Sequence, residues 1–175
     1  MNIGVNQFCF PMSYDVADAV KAAKRLGFDS IEVCFTAADG ARPGGGVTDA
    51  LDISGYHNRL LNMGSTDKDV RELKKLADDT GIRISSVGGI VSFSIYPLTA
   101  TDAQVAQKSM DAVKKMLDFA RILGADTILV IPGMLTADME YKAAYDLAHS
   151  RVAQLAAYAP DIQLAIENVW NGMLY

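Results

Sequence analysis

The stretch RILGADTILVI, from Arg121 to Ile131, contains the pattern that decides the fold. A helical segment ends at Gly124, and a short run of β-branched and aliphatic residues follows it. Glycine after the last helical turn adopts the left-handed backbone conformation without a clash at Cβ, and it therefore ends helices. The run TILV is typical of a buried strand. The stretch therefore predicts a helix that leads directly into a strand.

The same junction recurs along the chain. It is found in KRLGFDSIEVC around Gly27 and in DDTGIRISSV around Gly81, and AYAPDIQLAIE uses Pro160 as the stop signal instead. Such alternation of helices and strands predicts a parallel sheet with right-handed crossovers. The predicted strands are about 2–8, 29–34, 82–87, 126–131 and 162–167, and the predicted helices are 13–26, 66–80, 101–123 and 139–158.

Two architectures satisfy this order, an open sheet of five parallel strands and part of an eightfold βα barrel. In the last predicted strand, aliphatic residues alternate with Gln163, Ala165 and Glu167. An open sheet with helices on both faces should be apolar on both sides, whereas a polar or small-residue side fits a barrel interior. The sequence therefore predicts an α/β fold, a partial (β/α)8 TIM barrel of about five βα units. A full barrel takes about 250 residues, so residues 1–175 are expected to form a single domain, the N-terminal part of a barrel truncated after strand five.

Composition narrows the class of partner. The net charge is −5, with 21 acidic against 16 basic residues, which disfavours a nucleic acid partner. No apolar run has the length that crosses a bilayer, and the N-terminus lacks the pattern of a signal peptide. We therefore expect no membrane partner and a cytoplasmic location, where Cys9 and Cys34 remain reduced.

Glu167 is the strongest candidate for chemistry, because it follows the last predicted strand on its polar side. A buried carboxylate must be paired, protonated or bound to a cation, and barrel active sites lie at the carboxyl ends of the strands. A salt bridge to a neighbouring strand is the structural alternative. Asn168 is expected to hydrogen-bond a ligand. Trp170 is expected to form an apolar wall against a sugar ring, with loop packing equally open.

Two further residues are predicted to contact substrate. Glu32 should point inward near the end of the second strand, although a pair with Arg83 on the adjacent strand is an equally open interpretation. Phe8 lies where the first strand meets its loop and is expected to line the pocket, with ordinary packing as the alternative.

Three stretches together resemble the xylose isomerase-like TIM-barrel superfamily of sugar and sugar-phosphate isomerases and epimerases. They are IGVNQFCFP with AVKAAKRLGFDSIEV, LDFARILGADTILVIPG, and AIENVWN, and the resemblance extends over nearly the whole chain. The last stretch, with its Glu-Asn pair at the end of strand five, resembles a subgroup of sugar phosphate isomerases and epimerases.

This resemblance implies a mechanism. Relatives similar to D-tagatose 3-epimerase bind one divalent ion through Glu, Asp, His and Glu at the ends of strands five to eight. Glu167 matches the first of these ligands, so it is implied to be both metal ligand and acid/base, and the others are expected beyond Tyr175. The implied ion is Mn²⁺, Mg²⁺ or Co²⁺, and the implied reaction is isomerisation or epimerisation of a sugar or sugar phosphate through an ene-diolate. The fragment alone is expected to be inactive.

Two alternatives are left open at this stage. A metal-dependent lyase similar to inosose dehydratase is one alternative to the isomerase, and a non-catalytic half-barrel that dimerises is another, so a homo-oligomer is not excluded. Relatives of the endonuclease IV type, which cut DNA, carry HPG after strand four. This chain has Ile131, Pro132 and Gly133 there, which agrees with the prediction of no nucleic acid partner.

Overall fold

The computed structural model describes residues 1–37, 59–89, 92–135 and 137–168. Within these ranges the strands are β1 (Gly4–Asn6), β2 (Ser30–Thr36), β3 (Leu61–Asn62), β4 (Arg83–Gly88), β5 (Thr127–Val130) and β6 (Gln163–Ile166). The helices are α1 (Val16–Arg25), α2 (Asp67–Thr80), α3 (Ser92–Ile95), α4 (Ala103–Leu123) and α5 (Tyr141–Tyr158), with a 3₁₀ turn at Gln7–Cys9. All strand pairs are parallel, in the order β1-β2-β4-β5-β6, and β3 pairs with β2 outside that path.

The predicted helix–glycine–strand junctions are present. Gly27, Gly81 and Gly124 have positive φ angles of 87°, 69° and 70° at the ends of α1, α2 and α4, and a strand begins a few residues after each. Two short elements, β3 and α3, were not predicted. β2 also runs two residues further than predicted, because Phe35 and Thr36 pair with β3.

The two faces of the sheet differ in chemistry. The residues of β2 that face the helices, Ile31, Val33 and Phe35, are fully buried, and the ring of Phe35 meets that of Phe119 on α4 edge-on at 6.1 Å. On the opposite face Glu32, Ser86, Thr127 and Gln163 stand in register across four strands. One apolar face under helices and one polar face is the arrangement of a barrel wall. The prediction of a partial TIM barrel is confirmed, and the open sheet is not what forms.

An ion-pair cluster ties α4 to the segment before β6. Arg121 donates two hydrogen bonds to the carboxylate of Asp161, from Nε at 2.9 Å and from Nη2 at 2.6 Å. Arg121 also contacts Asp118 at 3.1 Å, and the hydroxyl of Tyr158 donates to that carboxylate at 3.0 Å. The cluster fixes the end of α5 against α4 and so sets the start of β6.

We predict that Asp161→Asn lowers the thermal unfolding midpoint at pH 7 by about 1–3 °C, as loss of an exposed ion pair does. The hydrogen bonds from Arg121 lower the pKa of Asp161 to about 2. The pKa of an aspartate in an unfolded chain is about 3.9. The pair therefore stabilises the fold above that pH and loses its effect as the pH falls toward 2. Thermal melts of wild type and variant should therefore converge over that interval.

Asp79→Asn is the matched control, because it removes only the exposed pair with Lys75 on the surface of α2. It should shift the midpoint less than Asp161→Asn. Equal shifts in the two variants, or a difference that persists in full at the acid end, would contradict the role given to the Arg121–Asp161 pair.

Among the described helices, none combines the length and the apolar character needed to cross a membrane.

Candidate functional site

Glu167 lies one residue beyond β6, at the carboxyl end of the strand. Its backbone N–H donates to the carbonyl of Val130 at 3.0 Å, so the pairing of β5 with β6 continues to this residue. The alternation along the strand places its side chain on the same face as Gln163 and Ala165, the polar face of the sheet. The side chain is half-buried and makes no ion pair with another described residue. The backbone of Glu167 is thus fixed in the sheet, and no described basic residue pairs with its carboxylate.

A metal site is not complete within the residues that the structure describes. No three or more His, Cys, Asp or Glu side chains lie close enough together there to hold an ion. A single carboxylate does not make a metal site, because oxygen-ligated divalent ions take several protein ligands or waters. Coordination by Glu167 therefore stays a prediction, as does the position of the other ligands beyond Tyr175.

The other predicted substrate residues lie on two distant parts of the sheet. Phe8 lies in the 3₁₀ turn after β1 and is about a third exposed, at 36%. Asn168 follows Glu167 and is exposed. Trp170 lies outside the described residues. The strand order separates Phe8 from Asn168 by β2, β4 and β5, so an opposed arrangement across a pocket needs the curvature of a barrel wall.

Glu32 is the third residue of β2 and lies inside a hydrogen-bonded network. Its Oε1 accepts from Asn6 Nδ2 at 2.5 Å, and its Oε2 accepts from Ser86 Oγ at 2.7 Å. The suggested pair with Arg83 is wrong: Arg83 is exposed and binds Asp126 at 2.7 Å. Arg83 pairs with Ser30, two residues before Glu32, and the register shift between Ile31 and Glu32 brings Ser86 rather than Ser85 opposite the carboxylate.

Gln7 and Cys34 join β1 to β2 next to Asn6 and Glu32. The Gln7 side chain is fully buried, and its Oε1 accepts from the backbone N–H of Cys34 at 2.8 Å, which extends the contact between β1 and β2 beyond Asn6. Its Nε2 has no hydrogen-bond partner among the described residues. Burial, with a contribution from the charge of Glu32, raises the pKa of the Cys34 thiol, so this cysteine stays protonated and is a poor nucleophile.

Asn6 and Ser86 were not identified from the sequence as site residues. In β1, Gly4 and Asn6 lie on one face and Val5 on the other, and Asn6 pairs in register with Glu32. This alternation along β1 is the one sequence signal that could have identified Asn6. Ser86 could not be found in this way, because its orientation depends on the bulge in β4.

The fold is similar to that of several sugar epimerases. A D-psicose 3-epimerase solved in the presence of D-fructose matches 99% of this chain with a TM-score of 0.70 and 20% identity, and the match covers 55% of that protein. D-psicose 3-epimerase from Clostridium cellulolyticum H10, solved with D-tagatose, gives the same coverage and TM-score with 18% identity. An L-ribulose 3-epimerase matches 97% of this chain and 50% of its own length, with a TM-score of 0.69 and 17% identity.

The chain therefore spans about half the length of the solved structures that it matches. Identities this low establish the fold and leave activity open. No curated protein gives a significant match. A sequence model described as xylose isomerase-like TIM barrel matches residues 20–175, which is most of the chain. The chain belongs to the xylose isomerase-like TIM-barrel family.

Proposed function

We propose that the complete protein is a sugar or sugar-phosphate isomerase or epimerase that acts through an ene-diolate. The observation that carries the proposal is the Glu167 carboxylate, held at the carboxyl end of β6 on the polar face without an ion-pair partner among the described residues. Membership of the xylose isomerase-like family and a fold shared with 3-epimerases support it. Residues 1–175 are proposed to be the first five βα units of that enzyme.

Glu167 is the proposed base. A carboxylate in this position takes a proton from the carbon beside the sugar carbonyl, the electron pair moves onto the carbonyl oxygen, and an ene-diolate forms. Return of a proton from the other face inverts the carbon, and the acid that supplies it is proposed to lie beyond Tyr175. Phe8 and Trp170 are proposed to contact the sugar ring, and Asn168 is proposed to bind one of its hydroxyls. The proposal keeps a divalent ion, Mn²⁺, Mg²⁺ or Co²⁺, with Glu167 as one ligand.

Incubation of the complete protein with a panel of ketoses and their phosphates in D₂O tests this function. An epimerase incorporates deuterium at the inverted carbon, because its proton exchanges with solvent at the base. We expect that outcome with at least one sugar, and we expect residues 1–175 alone to show no turnover with added Mn²⁺.

Three results would contradict the proposal or one of its parts. Loss of water from the sugar without inversion indicates a lyase of the same family. No exchange with any sugar, together with a stable two-fold assembly of residues 1–175 and no bound metal, indicates a non-catalytic half-barrel. Robust turnover by residues 1–175 would contradict the proposal that further catalytic residues lie beyond Tyr175.

A further inference from the structure

Asn6 connects Glu32 to the turn that carries Phe8. The two ends of its side-chain amide have different partners: Nδ2 donates to Glu32 Oε1 at 2.5 Å, and Oδ1 accepts from the backbone N–H of Phe8 at 2.7 Å. The second bond caps the 3₁₀ turn Gln7–Cys9 at its start. The amide therefore joins an acidic side chain in β2 to the backbone of the residue predicted to contact the sugar.

The polarity of this chain of hydrogen bonds is fixed at both ends, and at one of them the backbone N–H of Phe8 can only donate. An ionised carboxylate can only accept hydrogen bonds, so the Asn6 amide must direct its NH₂ toward Glu32 and its oxygen toward Phe8. Hydrogen bonds to a charged acceptor are about twice as strong as neutral ones, and this one holds the amide against a flip. No ion pair of Glu32 with a described basic residue competes with it.

Glu32 is itself held in a single position. Ser86 Oγ occupies its second oxygen at 2.7 Å from the bulged strand β4. The neighbouring Gly88 leaves the space that the carboxyl group fills, since a Cβ there would stand 3.3 Å from Glu32 Cδ and Oε1. Three strands thus converge on one carboxylate, and its side-chain hydrogen bond to Asn6 leads to the turn that bears Phe8.

We propose that Glu32 is a positioning residue that acts through Asn6 on the turn bearing Phe8, rather than a residue that contacts the sugar. The expected effect on kcat/KM rests on the proposed function. The expected effect on the order of the Phe8 turn rests on the hydrogen-bond geometry alone.

Two substitutions, Glu32→Gln and Asn6→Asp, distinguish a positioning role of Glu32 from direct contact with the sugar. Together they reverse the direction of the hydrogen bond between positions 6 and 32. In Glu32→Gln the introduced amide keeps its oxygen on Asn6 and turns its NH₂ to Ser86, whose hydroxyl accepts as well as donates. In Asn6→Asp two carboxylates face each other and the donor is lost. In the double variant, the introduced amide turns its NH₂ toward the introduced carboxylate and accepts from Ser86. That carboxylate still accepts from the Phe8 N–H, so every bond is restored. Only the bond between positions 6 and 32 runs opposite to its wild-type direction, and Ser86 donates as it does in wild type.

The kinetic test uses the complete protein. We expect Glu32→Gln to change kcat/KM by less than about threefold, and Asn6→Asp to lower it by about 10–100-fold, mainly through KM. Adding Glu32→Gln to Asn6→Asp should restore kcat/KM to within about fivefold of wild type. The proposal is overturned if Glu32→Gln alone is as damaging as Asn6→Asp, or if the double variant is no better than Asn6→Asp.

The structural test uses the Phe8 amide in residues 1–175 and does not depend on any activity. Its hydrogen exchange should be about tenfold faster in Glu32→Leu, which removes the acceptor for Asn6, and unchanged in Glu32→Gln. Ser85→Ala is the matched control, because Ser85 lies on the same bulge but donates to the Ile31 carbonyl at 3.3 Å and does not touch Glu32. Equal exchange in Glu32→Leu and wild type would overturn the positioning role even if the complete protein proves to be an epimerase. The expected exchange pattern with no activity on any sugar would leave the positioning role intact and overturn the proposed function.

Discussion

Glu167→Gln in the complete protein is expected to lower kcat for epimerisation by about 10²–10⁴-fold, the range attributed to a positioned general base. Glutamine keeps the size and hydrogen-bonding oxygen of the side chain but cannot take a proton from carbon. The backbone bond from Glu167 to Val130 is unaffected, so the end of β6 should stay in place. Initial rates and deuterium incorporation at the inverted carbon measure the loss, and the loss should appear in both.

Glu72→Gln is the control for this substitution. Glu72 lies on the surface of α2, with 67% of its side chain exposed, and pairs with Lys68 at 3.8 Å. Its kcat should stay within about twofold of wild type, since exposed pairs contribute little. If Glu167→Gln keeps more than about a tenth of the wild-type rate, the carboxylate is not the base and the proposed mechanism fails.

Gly133→Ala is expected to destabilise the fold by about 2–5 kcal/mol, the largest effect on stability that we predict. Two costs add at this position, which follows β5. The backbone has a φ angle of 146°, a conformation that residues with a side chain rarely adopt. A Cβ atom there would also stand 2.5 Å from Thr99 Oγ1 and 3.0 Å from Pro97 Cβ, and Thr99 is itself buried. Urea unfolding of residues 1–175 measures the change as a shift of the midpoint at constant slope.

Gly27→Ala separates the two costs. Gly27 also has a positive φ angle, 87°, but a Cβ atom at this residue would meet no atom within 4 Å. Its replacement should therefore cost only the backbone strain, about 1 kcal/mol. Equal destabilisation by the two variants would show that the segment around Thr99 moves aside freely.

The order of strands and helices could be predicted because each junction has a local cause. A glycine with a positive φ angle ends α1, α2 and α4, and this requirement is visible in the residue type alone. The elements β3 and α3 could not be predicted, because two or four residues are too few to show a hydrophobic period. Their positions depend on contacts with β2 and α4 that form only in the folded chain.

The candidate site was likewise predictable only where a local sequence pattern determines it. The inward direction of Glu32 and of Glu167 follows from strand alternation, which the sequence shows. The partner of Glu32 does not, because Arg83 binds Asp126 instead, and a one-residue bulge in β4 places Ser86 rather than Ser85 opposite the carboxylate. No residue type between Arg83 and Ser86 marks such a bulge in advance. The alternation of side chains is therefore a reliable guide in a regular strand such as β6, and it fails in β4, where a bulge interrupts it.

The sequential strand order bears on how the molecule is made. Each main strand pairs with one that was synthesised shortly before it, so no strand has to wait for a distant segment to leave the ribosome. The described residues bury a helix-side core between the sheet and α1, α2 and α4, in which Ile31, Leu117 and Ile128 are fully buried. Assembly can thus proceed unit by unit from the amino terminus, with modest loop-closure entropy at every step.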